Sequence, residues 1–120
     1  MKNEDNRLEQ HPSTNWLPRL QIEHSLDETF VTINESKLLD NEIIKEIEVA
    51  LLNLIDSRTD SKILLNFSEV QFLSSSFLGI LVKVLKKMRE KNAELTLTNI
   101  DPKILKVFKI TKLDKVFNIS

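Results

Sequence analysis

The sequence contains no cysteine at all. Zinc clusters of cysteine, thiol catalysis and a disulfide framework are thereby excluded, and the chain suits a reducing compartment. Glycine occurs once, at Gly79, which removes Gly-rich phosphate-cradling loops and dinucleotide fingerprints, and with them the usual nucleotide enzymes. The two histidines, His11 and His24, stand at no ligand spacing from a second such group, so neither a metal site nor a cofactor is expected. No apolar run approaches the roughly 18 residues of a membrane span. The polar start Met1-Lys2-Asn3-Glu4-Asp5-Asn6 lacks the apolar core of a signal peptide. With 17 basic and 18 acidic residues the formal net charge is −1, so the total provides no bulk field for nucleic acid or an anionic membrane. The expectation is a soluble, cytoplasmic protein that recognises its partners locally, with no nucleic acid and no membrane among them.

What is present is enough for one domain: 120 residues bury most of their apolar surface without a metal or a disulfide. Residues 1–15 are polar, mixed in charge and without periodicity, and read as a disordered or loosely docked N-terminal tail. The folded domain is expected over residues 16–120. Trp16, the only tryptophan, reads as a lid over one end of the core. Leu20 to Glu23 alternates and Thr29 to Ile33 is β-branched and aromatic, a hairpin whose connection Ser25-Leu26-Asp27-Glu28 has no Gly or Asn for a two-residue turn. Asp40 is placed to cap a helix whose apolar stripe is Ile43, Ile47, Ala50, Leu51, Leu54 and Ile55, with Glu42, Lys45, Glu46 and Glu48 mostly off it.

The stretch that organises the chain runs from Lys62 to Met88. Lys62-Ile63-Leu64-Leu65-Asn66-Phe67 is an apolar run too short for a helix and reads as a central strand covered on both faces. After a short link, Phe72-Leu73-Ser74-Ser75-Ser76-Phe77-Leu78-Gly79 opens a helix that continues apolar-periodic to Met88. Hydroxyls at a helix start meet backbone N–H groups with no partner of their own, at an electropositive point that suits an anion. Leu95 and Leu97 alternate with Thr96 and Thr98 in a further strand, and Asp101-Pro102 is a cap followed by proline at the first helical position. The crossovers imply parallel pairing. The fold class is therefore α/β, a mixed sheet with parallel central strands and packed helices, in the order β-β-α-β-α-β-α-α.

A strand ending in Asn66, then Phe-x-x-Ser-Ser at a helix start, then Leu78-Gly79 and an apolar helix, resembles the STAS domain of the anti-sigma-factor antagonist family. The resemblance covers about residues 17–119, since Val107 to Phe117 is similar to the family's closing helices. In that family the helix start usually reads Asp-Ser-Ser-Gly-Leu-Gly, and its first serine takes a phosphate from a partner kinase. Residue by residue, Ser75 falls on that serine, Ser76 on its neighbour, and Leu78 and Gly79 on their equivalents. Ser74 stands where the family has Asp, and Phe77 where it has Gly.

The resemblance implies a non-enzymatic antagonist, monomeric or weakly dimeric. Its partners would be an anti-sigma factor with serine kinase activity and a serine/threonine phosphatase, and phosphorylation at Ser75 would switch it off, regulating transcription by partner switching. The implied partner-binding residues are Gln71, Ser74, Ser75, Ser76, Phe77, Gly79 and Lys83. Phe77 reads either as core or as part of a docking patch. Taken without the resemblance, the serines read as a cap and small loop residues. Lys83, Lys86, Lys87, Arg89 and Lys91 read as a solvated face that complements the negative end of the helix dipole. The departures at Ser74 and Phe77 motivate a second reading, a STAS scaffold that is never phosphorylated, in a signalling assembly or as a soluble transporter accessory. A third, a ligand-binding or hydrolytic module, requires Ser75 and His24 to share a pocket.

Overall fold

The computed structural model describes residues 14–16, 19–57 and 62–120, with the backbone alone for 14–16. Residues 1–13 of the expected tail lie outside the described residues, and so does the Trp16 side chain. The first strand starts within the expected tail, at Thr14.

Six strands form the main sheet in the order β1-β2-β3-β5-β7-β8. They are β1 (Thr14–Trp16), β2 (Leu20–His24), β3 (Glu28–Ile33), β5 (Lys62–Asn66), β7 (Glu94–Thr98) and β8 (Asn118–Ile119). The first three pair antiparallel, whereas β3, β5, β7 and β8 run parallel. The hairpin between β2 and β3 has a three-residue loop, closed by the Ser25 amide donating to the Glu28 carbonyl at 2.8 Å. Helices α1 (Asn41–Ser57), α2 (Ser75–Glu90) and α3 (Pro102–Ile110) make the crossovers, and a 3₁₀ turn (Leu113–Lys115) precedes β8.

Each crossover steps the same way along the sheet, from β3 to β5 to β7 to β8. Right-handed connections in one direction place their helices on one face. That corrects the expectation for β5: Ile63 and Leu65 are buried, but Lys62, Leu64 and Asn66 are half-buried, so the strand is packed by helices on one side only. The core lies between that face and the helices and joins Leu20, Ile22, Val31 and Leu97 to Ile47, Leu51, Leu81 and Phe108.

The caps read from the sequence are in place. Asp40 Oδ1 accepts from the Glu42 amide at 2.7 Å, and Asp101 Oδ1 from the Lys103 amide at 2.8 Å, with Pro102 opening α3. Four short strands have no equivalent in the expected order: β1, β8, and the pair β4 (Lys37–Leu38) and β6 (Phe72–Leu73), which form a separate parallel two-stranded sheet. Two or three residues carry no alternation to detect, and tertiary pairing alone makes them strands.

The inward face of α1 departs from the expected stripe: Ile44 is buried where Ile43 is only half-buried. Glu48, expected on the solvent side of α1, is buried with a side chain 7% exposed, and it takes an ion pair and hydrogen bond from Lys83 of α2. Lys45 adds a second cation at 3.5 Å. The Lys83 hydrogen bond holds the Glu48 carboxyl below its ordinary pKa, outweighing the burial that pushes it up. Lys87 and Lys91 reach Asp56 at 3.2 and 3.8 Å. Three of the five cations read as a solvated face thus tie α2 to α1. Among the described residues no helix is long and apolar enough to cross a membrane.

Candidate functional site at the start of helix α2

The segment that leads into α2 is pinned at every step. Where β5 ends, Asn66 Oδ1 accepts from the Ser68 amide at 3.0 Å and from Asn99 Nδ2 at 2.8 Å, while Asn66 Nδ2 donates to Thr32 Oγ1 at 3.3 Å. Phe67 and Val70 are buried, and the Val70 amide donates to the Phe67 carbonyl at 2.9 Å. The chain then lies against β4: the Gln71 and Phe72 amides donate to the Ser36 carbonyl at 2.8 and 3.0 Å, and the Ser74 amide to the Leu38 carbonyl at 3.0 Å. This small sheet carries the chain to the helix start at a fixed position.

Ser74 is the N-cap. Its backbone is extended, and its hydroxyl oxygen accepts from the Phe77 amide at 3.4 Å. It does the capping that an aspartate would do there, without the charge. Ser75 and Ser76 follow as the first two helical residues, both exposed. Among the described residues their amides find no acceptor and their hydroxyls no partner, as expected for the first turn of a helix. The result is two free hydroxyls at the positive end of a 16-residue helix.

Phe77 is fully buried and meets Phe67 edge to face. That removes it from the set of partner-binding residues and settles the choice between core and docking patch in favour of core. The ring anchors the first turn while leaving the hydroxyl at 75 open to solvent.

Gly79 lies one turn beyond Ser75 on the same exposed face. A Cβ built there meets nothing within 4 Å, and its φ is not positive. Nothing in the fold requires glycine at this point, although glycine in a helix interior costs about 1 kcal/mol relative to alanine. Lys83, another turn on, has a side chain 58% exposed, but its ammonium is engaged by Glu48.

Two apolar residues near this face are exposed, and neither is among the partner-binding residues that the resemblance implies. Leu39, 52% exposed, follows the strand that holds Ser74, and Phe72, 44% exposed, lies in the paired strand. Lys103 Nζ sits 4.9 Å from the centre of the Phe72 ring. Their signal was an apolar residue next to a cap, which pattern alone does not separate from core.

The hydrolytic reading fails on geometry. His24 ends β2 and contacts Thr29 Oγ1 at 3.2 Å, at the edge of the sheet where β3 and β5 begin. Ser75 follows the far end of β5, so a strand of about 3.3 Å per residue separates the two. A cavity of about 830 Å³ between β2 and α1 lies elsewhere, lined by residues including Ile22, Val49 and Leu54. Its Arg19 is paired with Glu35 at 2.9 Å and Glu46 at 3.2 Å.

The fold has known counterparts. A protein from Planctomyces limnophilus described as an anti-sigma-factor antagonist (STAS) domain protein matches with a TM-score of 0.73 at 22% identity, covering 84% of this chain and 87% of its own. The Bacillus cell fate determinant SpoIIAA in its phosphorylated form matches at 0.65 and 20%, over 84% and 90%. An anti-sigma factor antagonist from Mycobacterium paratuberculosis matches at 0.71 and 20%, over 83% and 82%. The family model of the STAS domain matches residues 20–120; the chain belongs to the STAS domain family.

Proposed function

We propose that this chain is an anti-sigma-factor antagonist switched by phosphorylation of Ser75. The observation that carries the reading is a serine at the first position of a helix, exposed, with its hydroxyl bonded to nothing among the described residues. A serine kinase that is also the anti-sigma factor transfers the γ-phosphoryl group of ATP to the Ser75 oxygen, ADP leaves, and the hydroxyl proton goes to the kinase. A serine/threonine phosphatase reverses the step. The protein is the phosphate acceptor and performs no catalysis of its own.

Unphosphorylated, the face formed by Gln71, Ser75, Ser76 and Gly79, with Leu39 and Phe72 at its side, packs against the anti-sigma factor and frees the sigma factor. The bare backbone at Gly79 allows close approach. Phosphorylation adds 1.5 to about 2 negative charges and three acceptor oxygens. The helix N-terminus tolerates that charge, so the fold persists, while a partner surface packed on it is repelled. SpoIIAA, of similar fold, has been seen both with and without phosphate. A capping Ser74 and a buried Phe77 also weaken the case for a scaffold that never switches, because neither departure blocks the serine.

The test is binding of the anti-sigma factor kinases of the same genome to three forms of the protein. Wild type and Ser75→Ala are expected to bind one of them and Ser75→Glu to lose at least tenfold in affinity. Equal binding of all three by every kinase contradicts the switch.

A further inference from the structure

The near-zero net charge conceals a segregation. Residues 19–57 carry three basic and nine acidic side chains, residues 62–120 eleven basic and five acidic. Many of these neutralise one another across the α1–α2 seam and at Arg19 and Lys62. The closing segment is different. Lys106, Lys109, Lys112 and Lys115 are exposed, and among the described residues none has an ion-pair partner. Asp114 is the single acid of residues 102–120. Set among these lysines are two exposed aliphatic side chains, Ile110 at 74% and Val116 at 39%.

The corner is held firmly from beneath. Phe108 and Phe117 meet edge to face with centroids 5.8 Å apart, and Arg89 donates to the Val116 carbonyl at 3.3 Å. Lys112 makes the turn out of α3 with φ of 62°. That is the left-handed position after a helix end that glycine fills most easily. A lysine there keeps a charge at the expense of backbone comfort.

We infer that this corner docks on an anionic lipid surface, with the lysines over the headgroups and Ile110 and Val116 at the acyl boundary. The composition decides between occupants. Protein interfaces are depleted in lysine and anchored by Trp, Tyr and Arg, and single-stranded nucleic acid calls for aromatic stacking platforms; the corner exposes no aromatic ring, and its one arginine, Arg89, is tied to the Val116 carbonyl. Clustered lysines with exposed aliphatics match an anionic bilayer, where each lysine near the surface strengthens partition by about fivefold. This inference is independent of the antagonist reading.

The test is co-sedimentation of the full chain with vesicles of phosphatidylcholine alone and of phosphatidylcholine mixed with phosphatidylglycerol, alongside titrations with poly-glutamate and duplex DNA. Binding to the anionic vesicles only, released by salt as the Debye length shortens, is expected. Lys109→Gln with Lys115→Gln should cut it by roughly twenty-fivefold, two lysines at fivefold each, and Ile110→Ser should weaken it further. Lys112→Gly should raise the thermal midpoint yet weaken vesicle binding, a pair of signs that loss of folding cannot produce. No binding to anionic vesicles, equal binding to neutral ones, unchanged binding in the lysine variants, or tighter binding to poly-glutamate or DNA would each overturn the proposal.

Discussion

The ring of Phe77 meets the ring of Phe67 edge to face, with centroids 6.4 Å apart and planes inclined by 71°. One ring closes β5 and the other sits in the first turn of α2, so the contact ties the strand end to the helix start. Ser75 is held between this anchor and the Ser74 cap. The position of the hydroxyl is therefore built by its neighbours, and most of what can be predicted concerns them.

Phe77→Ala should destabilise the protein by 3 to about 5 kcal/mol, the range for emptying an aromatic site in a core. Phe77→Gly, the residue more usual in the family, should cost more still, because it adds the penalty of glycine in a helix. Chemical denaturation measures both. A loss below about 1 kcal/mol in either would mean that the ring is not part of the core.

Ser74→Ala removes the oxygen that accepts from the Phe77 amide. It should lower stability by about 1 kcal/mol. Ser74→Asp keeps the cap and adds a charge at the positive end of the helix, so it should match or exceed wild type by up to roughly 1 kcal/mol. Thermal melting checks this, with the midpoint expected to fall for Ser74→Ala and to hold or rise for Ser74→Asp.

Gly79→Ala separates folding from binding. With nothing within 4 Å of the added methyl, the variant should gain about 1 kcal/mol and melt a few degrees higher. Under the proposed function it should also bind the anti-sigma factor less tightly, as a methyl now stands where the partner approaches. Surface plasmon resonance beside a melting curve reads both signs. Higher stability with unchanged binding would remove Gly79 from the interface.

The Glu48 carboxyl is held below its ordinary pKa by Lys83, so its ion pair stabilises the folded state above the unfolded glutamate value of about 4.3. That stability is lost as pH falls through the lower folded value, as protons bind the unfolded chain more readily. Glu48→Gln should therefore be less stable than wild type at neutral pH, and the gap should close on acidification below about pH 4. A gap independent of pH would show that the pairing contributes nothing through charge.

The features legible in the sequence are those whose cause is local. Asp40 and Asp101 could be placed as caps, and the cap of α2 narrowed to one of three serines, because a cap is a side-chain oxygen two or three residues from the amide it accepts from. The α2 stripe from Leu78 to Met88 and the alternation of Leu95 to Thr98 were legible for the same reason. Features caused by distant residues were hidden. Glu48 is buried because Lys83, 35 residues on, meets it; β4 and β6 are strands only because Lys37 and Leu38 lie beside Phe72 and Leu73. At the site, the serines and Gly79 stood out by residue type, but Leu39 and Phe72 could be told from core only once the fold had left them uncovered.

The measurement that bears most directly on the account is phosphate mapping. The protein and its Ser75→Ala variant are incubated with ATP and each anti-sigma factor kinase of the same genome, then analysed by mass spectrometry. The account predicts a single added phosphate on wild type, located on Ser75, and none on the variant. No phosphate from any of these kinases, or a phosphate that persists in Ser75→Ala, would contradict it.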